Sequence, residues 1–445
     1  MSRDSGPAPD LGRVGHDLEV ISTYRDPDLL GWTRRVFSPI DMAARAWVGE
    51  QMAAAGLTVE TDAGGNLIGR LRGTEGRRAA LVTGSHTDTV HGGGRFDGII
   101  GVLGAIEVVR MLTESGRELR HDLVVVDFLG EEPNDFGLSC VGSRAIVGAL
   151  GPEHLDLVDP GGRRLRDLLA EAGGDPENLA AACWPQGALR CFVELHIEQG
   201  PRLERAGASI GVVSGIVGIH RFLSTFTGRP DHAGTTPMGE RRDALLGAAE
   251  AALRIEDLAT GGVATAGRLD VRPGAHNVVP AEADLWAEVR SDDTGWLGSF
   301  GRDVEVSVNE IGSRRSLATS LSWVSREDPV LATSWVRDTV ARAAVECGFE
   351  PVVLPSGAGH DAAHMARLGP MGMIFVPSRD GRSHCPEEWT DLVQIGDGIS
   401  VLAETLLACD TLDEAGTDGA ADNGARPCLR VGSGSRQRGE SGTVG

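Results

Sequence analysis

Lysine is absent from this chain of 445 residues, so all 42 of its basic side chains are arginines. That absence excludes two reaction classes, because a Walker A phosphate loop needs its lysine and a pyridoxal enzyme needs one for the Schiff base. Paired cysteines are missing too: Cys140, Cys183, Cys191, Cys347, Cys385, Cys409 and Cys428 are odd in number and never spaced as CxxC. Scattered thiols fit a reducing compartment better than a disulfide frame or a thiolate zinc site, and they point to the cytoplasm. Residues 1–30 mix Arg, Asp, Pro and Gly, and no apolar run approaches a membrane span, so neither export nor membrane insertion is expected. Positive charge is scarce, with 42 basic against 64 acidic residues and a formal charge of −22. So acidic a protein repels nucleic acid and anionic membranes at long range, which leaves a small molecule as the expected substrate. The run His91-Gly92-Gly93-Gly94 suggests a lipase oxyanion loop, but no GxSxG nucleophile elbow is expected to accompany it, and covalent serine hydrolysis is not expected either.

What is present suffices for two cores: 41% of the residues are hydrophobic, in a chain too long for one ordinary core. Residues 78–83 read as a buried strand, 98–112 as a helix opening on glycines, and 123–129 as a second strand. Further strands are expected over 191–198 and 371–377, with a helix over 361–368 before the last. The texture changes at about Ser214, where alternating segments (219–227, 284–290) flank a helical stretch (243–258). We therefore expect an α/β domain built from residues 1–213 and 329–409, interrupted by an α+β insert over 214–328. From about Asp410 to Gly445 the chain is rich in Gly, Ser, Asp and Arg and is expected to lack fixed structure.

In open α/β sheets ligands bind beyond the carboxyl ends of the strands, and His86, Glu131, Glu132, His196 and His384 all fall at or just after such ends. The adjacent pair Glu131-Glu132 suits divided labour, with one carboxylate on a metal and its neighbour handling protons. Taken alone, each histidine is more often a hydrogen-bonded structural residue, and the acid pair a solvated turn; the set carries the reading.

The stretches Gly84-Ser85-His86-Thr87-Asp88-Thr89-Val90, Gly92 to Gly98, Gly130-Glu131-Glu132, Glu194-Leu195-His196-Ile197-Glu198-Gln199-Gly200 and Ser383-His384 resemble, in order and spacing, the M20-type metal-dependent amidases. The match is to the hydantoinase/carbamoylase group, which includes N-carbamoyl-L-amino-acid hydrolases, β-ureidopropionases and allantoate amidohydrolases. This resemblance, over about residues 15–408, implies a metallopeptidase-like catalytic domain with a central mixed sheet and an inserted dimerisation (lid) domain. It implies two divalent ions, with Asp97 bridging, His86 and His196 on one, and Glu132 and His384 on the other. Imidazole and carboxylate without thiolate suit Zn²⁺, Mn²⁺ or Co²⁺. Glu131 matches the general base, and Asp88 is cast as the partner that orients the His86 ring. Where many members follow the acids with Gly-Ser-Arg-Phe, this chain has Pro133-Asn134-Asp135-Phe136, a departure beside the substrate.

In the insert, Gly228 to Met238 looks like the family's dimerisation signature. By resemblance His232 stabilises the oxyanion in the neighbouring subunit's site, making the enzyme a homodimer; the alternative is that Asp231-His232 caps the turn that follows. Arg290 and Asn277 match substrate-holding positions, Arg290 with a planar fork suited to a carboxylate. His220, Gly359 and His360 are further candidates, glycine because it lets a backbone amide approach a ligand closely. The expected activity is hydrolysis of an N-carbamoyl-L-amino acid to amino acid, CO₂ and ammonia. Allantoate or another ureido acid is the nearest alternative, and an M20 dipeptidase or aminoacylase, or a non-catalytic binding homologue, stands behind it.

Overall fold

A computed structural model describes residues 8–76 and 79–412 of the chain. In chain order its strands are β1 (Thr58–Thr61), β2 (Leu67–Leu71), β3 (Ala80–His86), β4 (Leu123–Phe128), β5 (Leu189–Ile197), β6 (Gly211–Ile216), β7 (Gly218–Thr227), β8 (Val263–Arg272), β9 (Glu282–Ser291), β10 (Ala318–Glu327), β11 (Val330–Leu331), β12 (Val352–Ser356) and β13 (Met371–Val376). Strands β7 to β10 form one sheet of their own, in the order β10-β7-β9-β8, and the other nine form a mixed sheet. The mixed sheet runs β1-β2-β4-β3-β5-β13-β6-β11, with β12 also on β6. This is the expected α/β architecture with a second, smaller α+β unit.

The middle of the large sheet is β4-β3-β5-β13, all mutually parallel. Such strands are covered on both faces, which is why β3, β4 and β13 read as near-continuous apolar runs rather than alternating ones. Val124, Val126, Phe128, Phe192, Met373 and Phe375 pack into one layer with Ile146, Ala362 and Met365 from two short helices. Leu123, Val125, Val193, Leu195, Ile374 and Val376 pack into the other, against the helices Leu11–Ile21, Pro39–Ala54, Ile99–Ser115, Ser334–Glu346 and Leu392–Thr411. By length and composition Leu392–Thr411 would cross a membrane. Its apolar residues Ile395, Ile399, Leu402 and Leu406 instead fill this core. The same helix carries through Asp410, which is buried and accepts from the amides of Arg120 and His121, so order continues past the boundary expected there. The remainder of the expected tail, from residue 413, lies outside the described residues.

Strand β6 continues past Ser214 to Ile216 before the chain enters the second sheet at Gly218. In that antiparallel sheet Phe222, Phe226, Leu285 and Val289 face the helices Ala244–Leu258 and Thr294–Arg315. A GxSxG stretch does occur, at Gly207-Ala208-Ser209-Ile210-Gly211, but it leads from the end of the helix Arg202–Ala206 into β6. A nucleophile elbow needs the opposite order, strand into helix, so the exclusion of serine hydrolysis stands on geometry.

The carboxyl end of β4 is pinned by the buried Arg45, which pairs with Asp127 at 3.1 Å and donates to the carbonyls of Gly65 (2.7 Å) and Phe128 (3.3 Å). Arg45→Ala leaves the Asp127 carboxylate buried without its cation, so urea unfolding is expected to show a loss of about 3–5 kcal/mol. A loss under about 1 kcal/mol, the size of an exposed ion pair, would mean that water reaches Asp127.

Candidate active site

Because β4, β3, β5 and β13 are parallel, their carboxyl ends meet at one edge of the sheet. His86 closes β3, His196 is the penultimate residue of β5, Glu131 and Glu132 follow β4, and His384 lies on the loop after β13. Asp97 comes from the turn that opens the helix Ile99–Ser115. Gly98 in that turn has φ +70, and a Cβ there would meet the His86 ring at 2.4 Å; only glycine lets the turn approach so closely.

Each strand imidazole is held by its backbone. His86 Nδ1–H donates to the Asp88 carbonyl (3.0 Å) and His196 Nδ1–H to that of Ile197 (2.9 Å), which leaves each Nε2 on the site side, where His196 Nε2 also accepts from the Gly98 amide (3.2 Å). His196 Nε2 is 3.2 Å from Asp97 Oδ1, and His86 Nε2 is 3.8 Å from Glu131 Oε2. His384 Nε2 is 3.0 Å from Asp97 Oδ2 and 3.4 Å from Glu132 Oε1. The Asp88 carboxylate accepts from the amides of Glu131 (3.1 Å) and Glu132 (3.2 Å) and lies 3.5 Å from His86 Nδ1. It therefore fixes the acid pair as well as the ring.

The electrostatics match this packing. Burial pushes the Glu131 carboxyl well above the usual carboxylate range, and burial with Asp97 alongside pushes Glu132 up to about 7. Burial also works to raise Asp97, but the imidazoles of His196 and His384 outweigh it and hold that group well below its ordinary value. The hydrogen bond to Asp97 lifts His384 to about 9.

Two donor triads result, His86–Asp97–His196 and Asp97–Glu132–His384, each with its ligand atoms within 4.8 Å of one another. Both are nitrogen and oxygen sets without thiolate, which fits a divalent transition ion. A third grouping, Glu194–His196–His360, is already committed: Glu194 accepts from Ser85 Oγ (2.7 Å) and the Ala362 amide (3.2 Å), and His360 Nε2 is paired with Ser356 Oγ at 2.8 Å.

The triads open into a cavity of about 370 Å³ between the two sheets, with Glu131, Arg290, Gly359 and His360 on its walls. It continues through Gln199, Val217, Arg290, Ala358 and His384 into an outer cleft of about 1010 Å³. No atom lies within 4 Å of where a Gly359 Cβ would be, so the backbone there is free for a ligand. Arg290 is held against Glu288 (2.8 Å) and the Gly357 carbonyl (2.9 Å).

Three sequence candidates fall elsewhere. Period-two alternation along β7 turns Ile219 and Arg221 to the cavity and His220 to the opposite, buried face, 5.8 Å from the Trp323 ring, so the expectation that His220 touches substrate is corrected. His232 and Asn277 line neither cavity of their own chain and are held together by a backbone bond from Ala233 to Asn277. His232 Nδ1 accepts from the amides of Gly234 (3.0 Å) and Thr235 (3.2 Å), the capping role weighed as its alternative, and this leaves Nε2–H turned outward.

Two residues were not singled out as site candidates from sequence. Gln199, at φ +57 just beyond β5, donates to Asp97 Oδ2 at 2.9 Å; its adjacency to a ligand-bearing strand end was the available signal. Glu388 is only 1% exposed and accepts from the amides of Phe96 (2.8 Å) and Asp97 (3.1 Å), a link that no local pattern announces.

Comparison with known proteins gives the same picture. The profile of peptidase family M20/M25/M40 matches residues 81–408. An N-carbamoyl-L-amino-acid amidohydrolase from Paenarthrobacter aurescens is 40% identical over 385 residues, which cover 85% of this chain and 93% of that protein. An allantoate amidohydrolase from Escherichia coli K12 is 36% identical over 405 residues, covering 88% and 96%. The crystal structure of an amidase of the hydantoinase/carbamoylase family from Burkholderia multivorans superposes with a TM-score of 0.83 at 33% identity, over 91% of this chain and 99% of that one.

Asp88→Ala removes the acceptor shared by the Glu131 and Glu132 amides. The expected result is a fall of about 10–100-fold in affinity for Zn²⁺ or Mn²⁺, read by titration against a chromophoric chelator. Unchanged affinity would show that the acid pair holds its place without Asp88.

Proposed function

The chain belongs to peptidase family M20/M25/M40, and from that premise we propose that it hydrolyses the ureido or amide C–N bond of a small carboxylated substrate. The first choice is an N-carbamoyl-L-amino acid, with allantoate as runner-up. The observation that carries the reading is a buried, high-pKa carboxylate, Glu131, on the wall of a cavity that also holds the imidazole and carboxylate triads and a guanidinium, Arg290. Relatives named as an N-carbamoyl-L-amino-acid amidohydrolase and an allantoate amidohydrolase are named for ureido compounds, which supports this bond type.

Two divalent ions, Zn²⁺, Mn²⁺ or Co²⁺, held by His86, Asp97, Glu132, His196 and His384, would polarise the scissile carbonyl and acidify a water. Glu131 takes the proton of that water. Its burial keeps the proton on the carboxyl until the tetrahedral centre collapses, when Glu131 hands it to the departing nitrogen. For a carbamoyl amino acid the leaving group is ammonia, and the carbamate left behind falls to CO₂ and the amino acid. Arg290 presents its fork to the substrate carboxylate, a role its anchoring by Glu288 and Gly357 prepares by fixing the guanidinium plane. The Gly359 backbone and the His360 ring form a further part of the wall that bounds the substrate.

His232 and Asn277 serve the site of a second copy, so the working unit is a homodimer. The outward Nε2–H of His232 has the geometry of an oxyanion donor. Strand β8 supports this assembly: it is a sheet edge, exposed along most of its length, and such edges are normally covered. A cytoplasmic location accords with cysteines that are scattered along the sequence and never spaced as CxxC.

Metal-stripped protein reloaded with Zn²⁺, Mn²⁺ or Co²⁺ is expected to release ammonia from carbamoyl-L-amino acids or allantoate and to leave dipeptides intact; dipeptide cleavage alone would overturn the substrate assignment. Glu131→Gln is expected to retain its metal and lose kcat by about 10²–10⁴-fold, and unchanged turnover would remove Glu131 from the reaction. For the shared site, co-refolding Glu131→Gln chains with His232→Ala chains is expected to restore activity that neither variant has alone, because one site of each mixed dimer is then intact. Mixtures as inactive as their components would place His232 outside the neighbouring site.

A further inference from the structure

Glu388 reaches the cluster from a loop 292 positions away in sequence from Phe96. Its neighbour Glu387 is exposed, whereas Glu388 is 1% exposed with every carboxylate contact inside the protein. Oε1 accepts from the amides of Phe96 (2.8 Å) and Asp97 (3.1 Å), which fixes the turn that presents Asp97. Oε2 accepts from Ser383 Oγ at 2.7 Å, and the same hydroxyl lies 3.2 Å from Asp97 Oδ2. Ser383 immediately precedes His384. One buried carboxylate therefore clamps the Asp97 turn to the His384 loop. The clamp shapes its surroundings, since a Cβ at Gly94 would lie 2.1 Å from the Glu388 carboxyl carbon.

We propose that Glu388 is a positioning residue that sets the Asp97–His384 separation and thereby the affinity of the Asp97–Glu132–His384 subsite. The two subsites depend on it unequally. His86 and His196 are fixed by β3 and β5 and by their own carbonyl acceptors. His384 sits at φ +56 on a loop, its side chain 48% exposed, with no strand to hold it. Loss of the clamp frees His384 first.

The inference rests on the dinuclear reading above, and its test separates the two. Full-length protein is stripped with chelator and titrated with Co²⁺, following both competition with a chromophoric chelator and the visible ligand-field bands. The wild type is expected to take up two equivalents. Glu388→Ala is expected to weaken the second by about 10–100-fold and the first by a smaller factor. Glu388→Gln keeps one oxygen for the Phe96 and Asp97 amides and an NH₂ that donates to Ser383 Oγ, so it restores the second equivalent. Gly94→Ala displaces the carboxylate without removing it and is expected to reproduce the alanine pattern, which keeps the test open if Glu388→Ala does not fold. Equal weakening of both equivalents, or a Glu388→Ala titration that overlays the wild type, overturns the positioning role alone. A wild type that binds fewer than two equivalents overturns the dinuclear reading together with it.

Discussion

Parallel registration of four strands is the constraint from which the site follows. Alignment of β3 with β4 sets His86 opposite Phe128, three residues before Glu131, and alignment of β13 with β5 sets Phe375 opposite His196. With those registers fixed, four loops leave the sheet at the same edge, and their first side chains have nowhere to go but toward one another. A slip of one residue in any of these pairs would send the ligand-bearing side chain to the other face of the sheet. The precision that catalysis requires is thus supplied largely by hydrophobic packing on both faces, with the buried Arg45–Asp127 pair pinning the end of β4.

Packing alone would not tolerate what it assembles. Asp88, Asp97, Glu131 and Glu132 are 2–8% exposed, and unpaired carboxylates at that depth each cost several kcal/mol. The chain's own buried cations nearby, Arg34 and Arg45, are committed to carbonyls behind the site: Arg34 donates to Thr87 (2.7 Å) and Tyr24 (2.7 Å), and Arg45 to Gly65 (2.7 Å). On the cavity side the cationic groups nearest these acids are histidines, and the neighbouring carboxylates raise His86 and His196 although burial opposes their protonation. A metal ion held by the triads would compensate the acids without a proton on each imidazole. The same burial that makes the cluster expensive keeps Glu131 basic enough to accept a proton.

The sequence was legible where physics is local. Apolar runs with both faces covered marked β3, β4 and β13, and the strand-end rule located His86, Glu131, Glu132 and His196 in advance. His220 was misread although its signal was present: on an amphipathic strand, Ile219 and Arg221 cannot share a face with it, and the Phe222–Phe226 side is the core. Glu388 was illegible for a different reason. Beside Glu387 it looks like half of a solvated acidic pair, and only the long-range closure of its loop on the Asp97 turn makes it buried. His232 and Asn277 are a third case, since a single chain presents them at its surface away from both cavities, where His232 caps its own turn.

Under the proposed reading selectivity comes from groups outside the triads, because those donors would meet the scissile carbonyl and nothing else. The loop after Glu132 is the clearest instance. Asn134 Oδ1 accepts from the amides of Phe136 (3.0 Å) and Leu138 (3.4 Å), and Arg35 pairs with Asp135, so the loop is rigid. Pro133 at its head forms part of the inner cavity wall. A rigid wall would discriminate by shape, whereas Arg290, on the other sheet, would discriminate by charge. Since β9 carries Arg290 and the turn after β4 carries Glu131, the proposed reading makes the distance between carboxylate recognition and bond cleavage a distance between two sheets. The approach of those sheets would then measure substrate length, while one of them alone would fix the reaction type.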